Sequence, residues 1–356
     1  MSDYPVNAPT AFESALFDAD LLEKVPLAEI YDLKANTTAH KIWQKEANLA
    51  SMPDINNPNA WGSTERTALR WLFFAEALKG CRRILDVGCG DGRPSLYIAP
   101  YFEEVVGVDI SPAQVELAKR SADLMSIRNV RFQTADIAAL PFADEEFDGV
   151  CFGGNVLTYG TDQIPLLREI NRVLKAGGTF AFEQWPTLGN HSVYDSVSWF
   201  IDCGSPVIHV TSGGGPYSRD IFVFLKPETV QGIRILDLAR NMKDVLSPEQ
   251  RQACEEIKWE IECGNVGIVR RAIYSGESRC LTKEEMPHLL ELAGFSYFEC
   301  WALPDAQRFA RDLQSKGLLS RLCQDDLLPM LQALVAASPK IASWEFNSVT
   351  CKRSQV

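Results

Sequence analysis

The stretch Arg83-Ile84-Leu85-Asp86-Val87-Gly88-Cys89-Gly90-Asp91-Gly92-Arg93-Pro94 decides the fold. Ile84, Leu85 and Val87 form a short apolar run with strand character. The run stops at Gly88-Cys89-Gly90-Asp91-Gly92, and a helix-like stretch with Ser95, Leu96, Ile98 and Ala99 follows. Three glycines at alternate positions let the main chain turn sharply and approach a ligand without Cβ clashes. A helix N-terminus just beyond them supplies N–H groups that the helix itself leaves unused. Strand, glycine loop and helix make the first βα unit of a doubly wound α/β sheet, with a ligand over its C-terminal edge.

Spacing narrows the ligand class. The dinucleotide fingerprint is G-x-G-x-x-G. This chain instead has Asp-x-Gly-x-Gly-x-Gly, with Asp86 two positions before the first glycine. A carboxylate there repels a pyrophosphate and attracts an amino group or a sulfonium. Glu104-Val-Val-Gly-Val-Asp109 reads as a second strand, and Asp109 falls about 20 residues on, where such folds place a carboxylate on ribose hydroxyls. Together these residues resemble the class I S-adenosyl-L-methionine (SAM) methyltransferase family. The resemblance implies a Rossmann-like, doubly wound, seven-stranded sheet and SAM as cofactor.

The later chain extends the resemblance. Ser111-Pro112 fits an N-cap followed by Pro at the first helical position, opening a helix to about Ser126. Residues 130–136 read as the third strand, ending at Asp136. Leu140-Pro-Phe-Ala-Asp-Glu-Glu-Phe147-Asp148 resembles a run of the ubiquinone-type, small-molecule branch of the family. A fourth strand is expected at 149–152, a helix at 163–175, and a fifth strand at 179–183. The segment Leu167–Thr179 again resembles the family, which usually has Pro where Ala176 stands. Amino-methylating DNA and protein-glutamine enzymes carry Asp/Asn-Pro-Pro-Tyr after the fourth strand. Gly153-Gly154-Asn155-Val156 departs from that pattern and speaks against adenine or glutamine methylation.

Two regions fall outside the sheet. Residues 1–62 read as an N-terminal helical lid, with helices over 11–24 and 28–50, and Ser63 is the expected N-cap of the helix that follows. Residues 185–279 interrupt the path to the sixth strand as a mixed, largely helical substrate cap. The expected elements there are a strand at Asp220–Leu225 and helices near 227–243 and 247–263. The SAM-binding domain is then 63–184 with 280–356. It resumes at Thr282, an N-cap with Glu285 at the capping-box position. The sixth strand is expected at 296–303, a helical excursion at 305–338 and a last strand at 343–351.

Composition bounds the partners. The chain has 356 residues, 35 Lys+Arg against 47 Asp+Glu, and a formal net charge of −12. No basic stripe is available to neutralise phosphates, which argues against nucleic acid. No run of 18 apolar residues and no signal pattern is present, so no membrane span and a cytoplasmic location are expected. The ten cysteines contain no C-x-x-C pair and the four histidines are dispersed, so no metal site is expected. Cys151 invites an arsenic-methylation reading, but one thiol on a strand lacks the thiol constellation that this chemistry needs.

The resemblance assigns cofactor residues one by one. Gly88, Gly90 and Gly92 allow backbone approach, Asp86 meets the amino end and Asp109 the ribose. Ile110 and Ile137 pack on the adenine, Asp136 accepts from its amino group, and Asn155 meets the methionine portion. Tyr31, Trp43 and Trp61 are lid candidates, with plain helix packing as the other reading. For catalysis, His191 lies just beyond the fifth strand, where a neutral imidazole could take a proton, with a surface or structural histidine as the other reading, and Tyr159 follows the fourth strand. Gln184, Tyr194, His209 and Tyr217 are further pocket candidates. Arg234, Arg240, Arg270 and Arg271 would suit an anionic acceptor, or decorate exposed helix faces with Glu255, Glu256 and Glu260.

The activity expected is methyl transfer from SAM to a small organic acceptor, apolar or aromatic, by in-line displacement. Alternatives are an enzyme of the same fold that couples methylation to cyclisation or uses SAM structurally, and a non-catalytic SAM-binding partner protein. A second use for the long insertion is as a dimerisation arm in a homodimer.

Overall fold

The computed structural model of the chain describes residues 22–36, 68–153, 156–158, 162–183, 198–201, 207–212, 217–225, 268–276, 278–279, 281–282, 284–304, 306–321, 324–341 and 348–354. In chain order the elements are β1 (Glu23–Val25), α1 (Leu27–Ala35), α2 (Ala68–Ala77), β2 (Arg83–Val87), α3 (Arg93–Ile98), β3 (Glu104–Asp109), α4 (Pro112–Leu124), β4 (Val130–Thr134), β5 (Phe147–Phe152), α5 (Ile164–Val173) and β6 (Leu174–Glu183). Strands β7 (Ser198–Ile201), β8 (Val207–Ser212), β9 (Tyr217–Leu225), β10 (Ile268–Tyr274) and β11 (Ser278–Arg279) follow. The chain closes with α6 (Glu285–Leu292), β12 (Phe295–Trp301), α7 (Ala306–Ser315), α8 (Gln324–Ala336), β13 (Lys340–Ile341) and β14 (Ser348–Arg353). Two compact units result, one of residues 1–42 and 194–277, the other of 43–193 and 278–356.

In the larger unit the strand order is β13-β12-β14-β6-β5-β2-β3-β4. Strands β4, β3, β2, β5 and β6 are mutually parallel, while β14 runs antiparallel to both β6 and β12. This is the expected seven-stranded doubly wound sheet, with the two-residue β13 added at one edge. The chain leaves β2 through α3 toward β3 and later returns on the other side to β5. The order therefore reverses between β2 and β5, and ligands of such sheets bind outside the strand ends at that point.

Parallel strands buried on both faces need apolar residues in both alternating sets. Ile84, Val105, Cys151 and Ala181 face one core with Leu72, Phe73, Leu96, Val115 and Leu331. Leu85, Val87, Val106, Val150, Phe180 and Phe182 face the other with Leu167, Ile170, Met286 and Leu290. Burying each of the Val, Leu, Ile, Phe and Met side chains contributes about 1.5–3 kcal/mol.

The caps form as read. Ser111 Oγ accepts the Gln114 amide at 3.1 Å. Thr282 and Glu285 exchange backbone-to-side-chain bonds of 3.0 and 3.2 Å, the reciprocal arrangement of a capping box. Several boundaries differ from the reading. The helix expected over 163–175 gives way to β6 at Leu174, and Lys175–Gly178 form an irregularity between the pairs Phe147–Leu174 and Gly149–Thr179. Gly177 there adopts φ +72°, so the two glycines bend a strand rather than end a helix. The sixth strand spans Phe295–Trp301, and the last begins at Ser348 within the expected 343–351.

The smaller unit has strands in the order β1-β10-β9-β8-β7. Residues 23 and 24, read as the end of a helix, instead join Val25 in a strand that pairs in parallel with β10. Pro26 then caps α1, which ends at Ala35. Val25, Ile30, Phe222, Phe224 and Ala272 form a local core. Strand β9 extends the expected Asp220–Leu225 back to Tyr217. The helices expected near 227–243 and 247–263 lie outside the described residues, as does Ser63. Arg270 and Arg271 stand on strand β10, not on a helix, and Arg270 pairs with Glu23 and Glu29 at 2.8 Å each. The glutamates suggested as their partners, and Arg234 and Arg240, lie outside the described residues.

Candidate active site

The loop after β2 uses its three glycines for three different reasons. All have positive φ: +69° at Gly88, +54° at Gly90 and +86° at Gly92. A Cβ on Gly88 would stand 2.6 Å from Val156 Cγ2, so this glycine admits the loop that leaves β5. A Cβ on Gly92 would stand 2.8 Å from Ala118 Cβ and 2.9 Å from Phe132 Cζ, so this one lets α3 start close to the sheet. At Gly90 nothing lies within 4 Å of the added carbon. Of the three, only the middle glycine has no described atom within 4 Å of an added Cβ, which leaves its backbone accessible to a ligand.

Two carboxylates flank that opening. Asp109, at the end of β3, accepts the Gly90 amide on Oδ2 and the Ser111 amide on Oδ1, both at 2.9 Å. The two bonds fix its plane. Asp86, at the end of β2, is 1% exposed. Ser95 Oγ donates to its Oδ2 at 2.6 Å and Cys151 Sγ lies 3.9 Å from its Oδ1. Burial pushes the Asp86 carboxyl up to about 7, against the pull of Ser95 and Arg70 and with a push from Asp109. Burial likewise holds the Cys89 and Cys151 thiols well above their ordinary range. A buried carboxylate titrating near neutrality at a sheet's ligand edge is what a cationic ligand group would stabilise.

Asp136 is exposed and caps the turn Ile137–Ala139, accepting the Ala138 amide at 2.9 Å. Ile137 packs partly against the core and Ile110 is half-buried beside Asp109. Glycines 88, 90 and 92, Asp86, Asp109 and Ile110 thus gather at the ends of β2 and β3, and Asp136 and Ile137 follow β4. Asn155, Tyr159, Gln184, His191, Tyr194, Trp43 and Trp61 lie outside the described residues. Tyr31 is on α1, its ring 4.7 Å below the Lys34 ammonium. His209 and Tyr217 are on β8 and β9.

Sequence reasoning missed one feature of this edge. Arg70 on α2 and Glu183 at the end of β6 form an ion pair, Nε to Oε2 2.6 Å, with side chains 4% and 10% exposed. The signal was a cation inside the apolar helix Ala-Leu-Arg70-Trp-Leu-Phe-Phe. The Leu140–Asp148 run, by contrast, serves the opposite edge. Arg172 donates to the carbonyls of Leu140 (2.9 Å) and Phe142 (2.7 Å) and to Asp144 and Glu169 (2.8 Å each). Phe142 packs edge-on against Phe147 at 4.9 Å.

Among the described residues no group of three or more His, Cys, Asp or Glu is placed to hold a metal ion. No described helix is long and apolar enough to cross a membrane.

Residues 85–182 match the family model described as a methyltransferase domain. The chain is 38% identical over 98 residues to the uncharacterized methyltransferase YcgJ of Bacillus subtilis, covering 28% of this chain and 38% of that protein. It is 27% identical over 175 residues to methyltransferase GfsG of Streptomyces halstedii, covering 49% and 61%. It is 37% identical over 124 residues to a demethylmenaquinone methyltransferase of Thermus thermophilus, covering 33% and 55%. The chain thus spans less than two thirds of the length of each of these relatives.

Proposed function

We propose, from the premise that residues 85–182 are a methyltransferase domain of the class I SAM-dependent family, that the protein transfers the methyl group of SAM to a small organic acceptor. The observation that carries the reading is the pair of strand-end carboxylates, Asp86 and Asp109, beside a glycine loop whose middle residue borders open space. Bound SAM supplies a methyl carbon already activated by its sulfonium. The chain's own residues bind, align and exclude water, the main sources of rate for a single in-line displacement.

In this reading Asp86 takes the amino group of the cofactor and Asp109 its ribose hydroxyls. The Gly90 backbone lies against it, Ile110 and Ile137 pack on the adenine, Asp136 accepts from the adenine amino group, and Asn155 meets the methionine portion. His191 and Tyr159 face the acceptor, and a base is needed only if the acceptor holds a proton it does not lose unaided. Residues 1–62 and 185–279 form the lid and acceptor cap. An apolar or aromatic acceptor fits the resemblance of Leu140–Asp148 to the ubiquinone-type branch, and the name of the Thermus thermophilus relative supports it. A cytoplasmic enzyme without a nucleic-acid partner completes the proposal, in keeping with the net charge of −12.

Calorimetric titration with SAM and with S-adenosylhomocysteine tests it. Both are expected to bind, and Asp109→Ala is expected to weaken both about 10- to 100-fold, the worth of a hydrogen bond to a charged group. Unchanged affinity in Asp109→Ala would sink the assignment. Product mass then separates transfer, a gain of one methyl, from cyclisation, which adds none.

A further inference from the structure

One face of the sheet's ligand edge carries a row of residues that share the neighbourhood of Asp86. Asp86 pairs with Cys151 across β2 and β5, and Cys151 with Ala181 across β5 and β6. Side chains alternate along a strand, so Glu183 stands on the face of Ala181, two residues nearer the ligand edge. Gly153 follows Cys151 in the same way, just past the end of β5. Arg70 enters this row from α2. A Cβ on Gly153 would lie 2.8 Å from the Arg70 Cζ, so glycine there makes room for the guanidinium. Glu183 holds the guanidinium and also accepts from Ser348 Oγ at 3.3 Å.

A buried ion pair of this kind adds little net stability over an apolar pair of the same shape, because both charges must be desolvated. Its field on neighbouring charges, however, is strong in a dry setting. The groups facing Asp86 are Arg70 from α2, Ser95 from α3, Asp109 from β3, Cys151 from β5 and the Cys89 thiol from the loop. Among these described groups Arg70 is the one cation.

We propose that the Arg70–Glu183 pair is a positioning device that favours the ionised form of Asp86, and so sets the pH range in which the cofactor's amino group is held. This inference rests on the SAM-binding reading above. Arg70 favours the charged carboxylate, and Glu183 both fixes the guanidinium and moderates its field. Neither touches the cofactor in this account; both act through Asp86.

The test is the pH dependence of S-adenosylhomocysteine affinity, measured by calorimetry from pH 5.5 to 9 with folding checked by circular dichroism. In the wild type, affinity is expected to rise with pH as Asp86 ionises. Arg70→Met is expected to move the midpoint up by about one unit, the effect of removing a nearby cation. Glu183→Gln, which unmasks the cation, is expected to move it down by a smaller amount. Arg70→Lys is expected to return the midpoint toward the wild-type value even where affinity is weaker. A purely structural pair would weaken binding at every pH without shifting the midpoint in opposite senses. Unmoved midpoints, or shifts in the same direction, overturn the inference while leaving SAM binding intact. If Arg70→Met does not fold, Glu183→Gln decides alone, and a midpoint at or above wild type overturns it. No binding by the wild type at any pH would overturn both this inference and the reading beneath it.

Discussion

The two edges of the parallel sheet treat buried charge in opposite ways. At the N-terminal edge, Asp148 accepts the amides of Arg82 and Arg83 at 3.1 and 2.8 Å and the Lys175 ammonium at 2.5 Å. Partial burial pushes its carboxyl up, but these donors hold it below the usual range. Arg172 binds the adjoining loop through two carbonyls and two carboxylates. At the C-terminal edge, Asp86 is more deeply buried, has one hydroxyl and one thiol as partners, and titrates near neutrality. One edge spends its charges on holding loops in place. The other leaves a carboxylate under strain, and such groups cluster where ligands bind.

The largest effect that would sharpen this contrast belongs to Asp86→Asn. The folded carboxyl sits at about 7 and the ordinary value is 3.8. The unfolded chain therefore loses its proton first, and stability falls as pH rises from about 4 to 7. Asn removes that loss, with an upper limit of about 4 kcal/mol at 1.36 kcal/mol per unit. Denaturant melts should show Asp86→Asn more stable than wild type at pH 8 and level with it at pH 4, while S-adenosylhomocysteine affinity drops. A less stable variant at pH 8 would break the contrast.

Arg172→Ala tests the opposite edge. Loss of four partners, two of them loop carbonyls, is expected to cost about 2 kcal/mol, allowing for the side chain's partial exposure. Cofactor affinity should stay within about twofold, since the residue serves the far side of the sheet. A large loss of affinity would mean that the edges are coupled. The smallest effect is that of Asp148→Asn. Its folded carboxyl is depressed, so its contribution is present at neutral pH and lost as pH falls through the folded value. A loss of about 1 kcal/mol at pH 7, the worth of a hydrogen bond, that fades as pH falls through the depressed folded value is expected in melts compared across pH.

Most of the larger unit was legible because its signals are local. Asp86, the three glycines and Asp109 announce themselves by spacing, and Ser111 and Thr282 by cap chemistry. What was illegible depends on partners far apart in the chain. Arg70 and Glu183 are separated by more than a hundred positions, and no local pattern joins them. The glycines at 177 and 178 read as a helix stop because a strand irregularity has the same composition. Glu23 and Lys24 read as a helix end in isolation, yet their pairing with β10 overrides local preference. Equivalence among Gly88, Gly90 and Gly92 was also an artefact of spacing, since two of the three make room for protein rather than for a ligand.

A crystal structure of the protein with S-adenosylhomocysteine tests the central claim most directly. The account predicts the ribose hydroxyls within hydrogen-bond distance of Asp109, the amino group directed at Asp86, and the ligand lying over Gly90. A cofactor bound elsewhere, or bound here with its amino end turned away from Asp86, would contradict it.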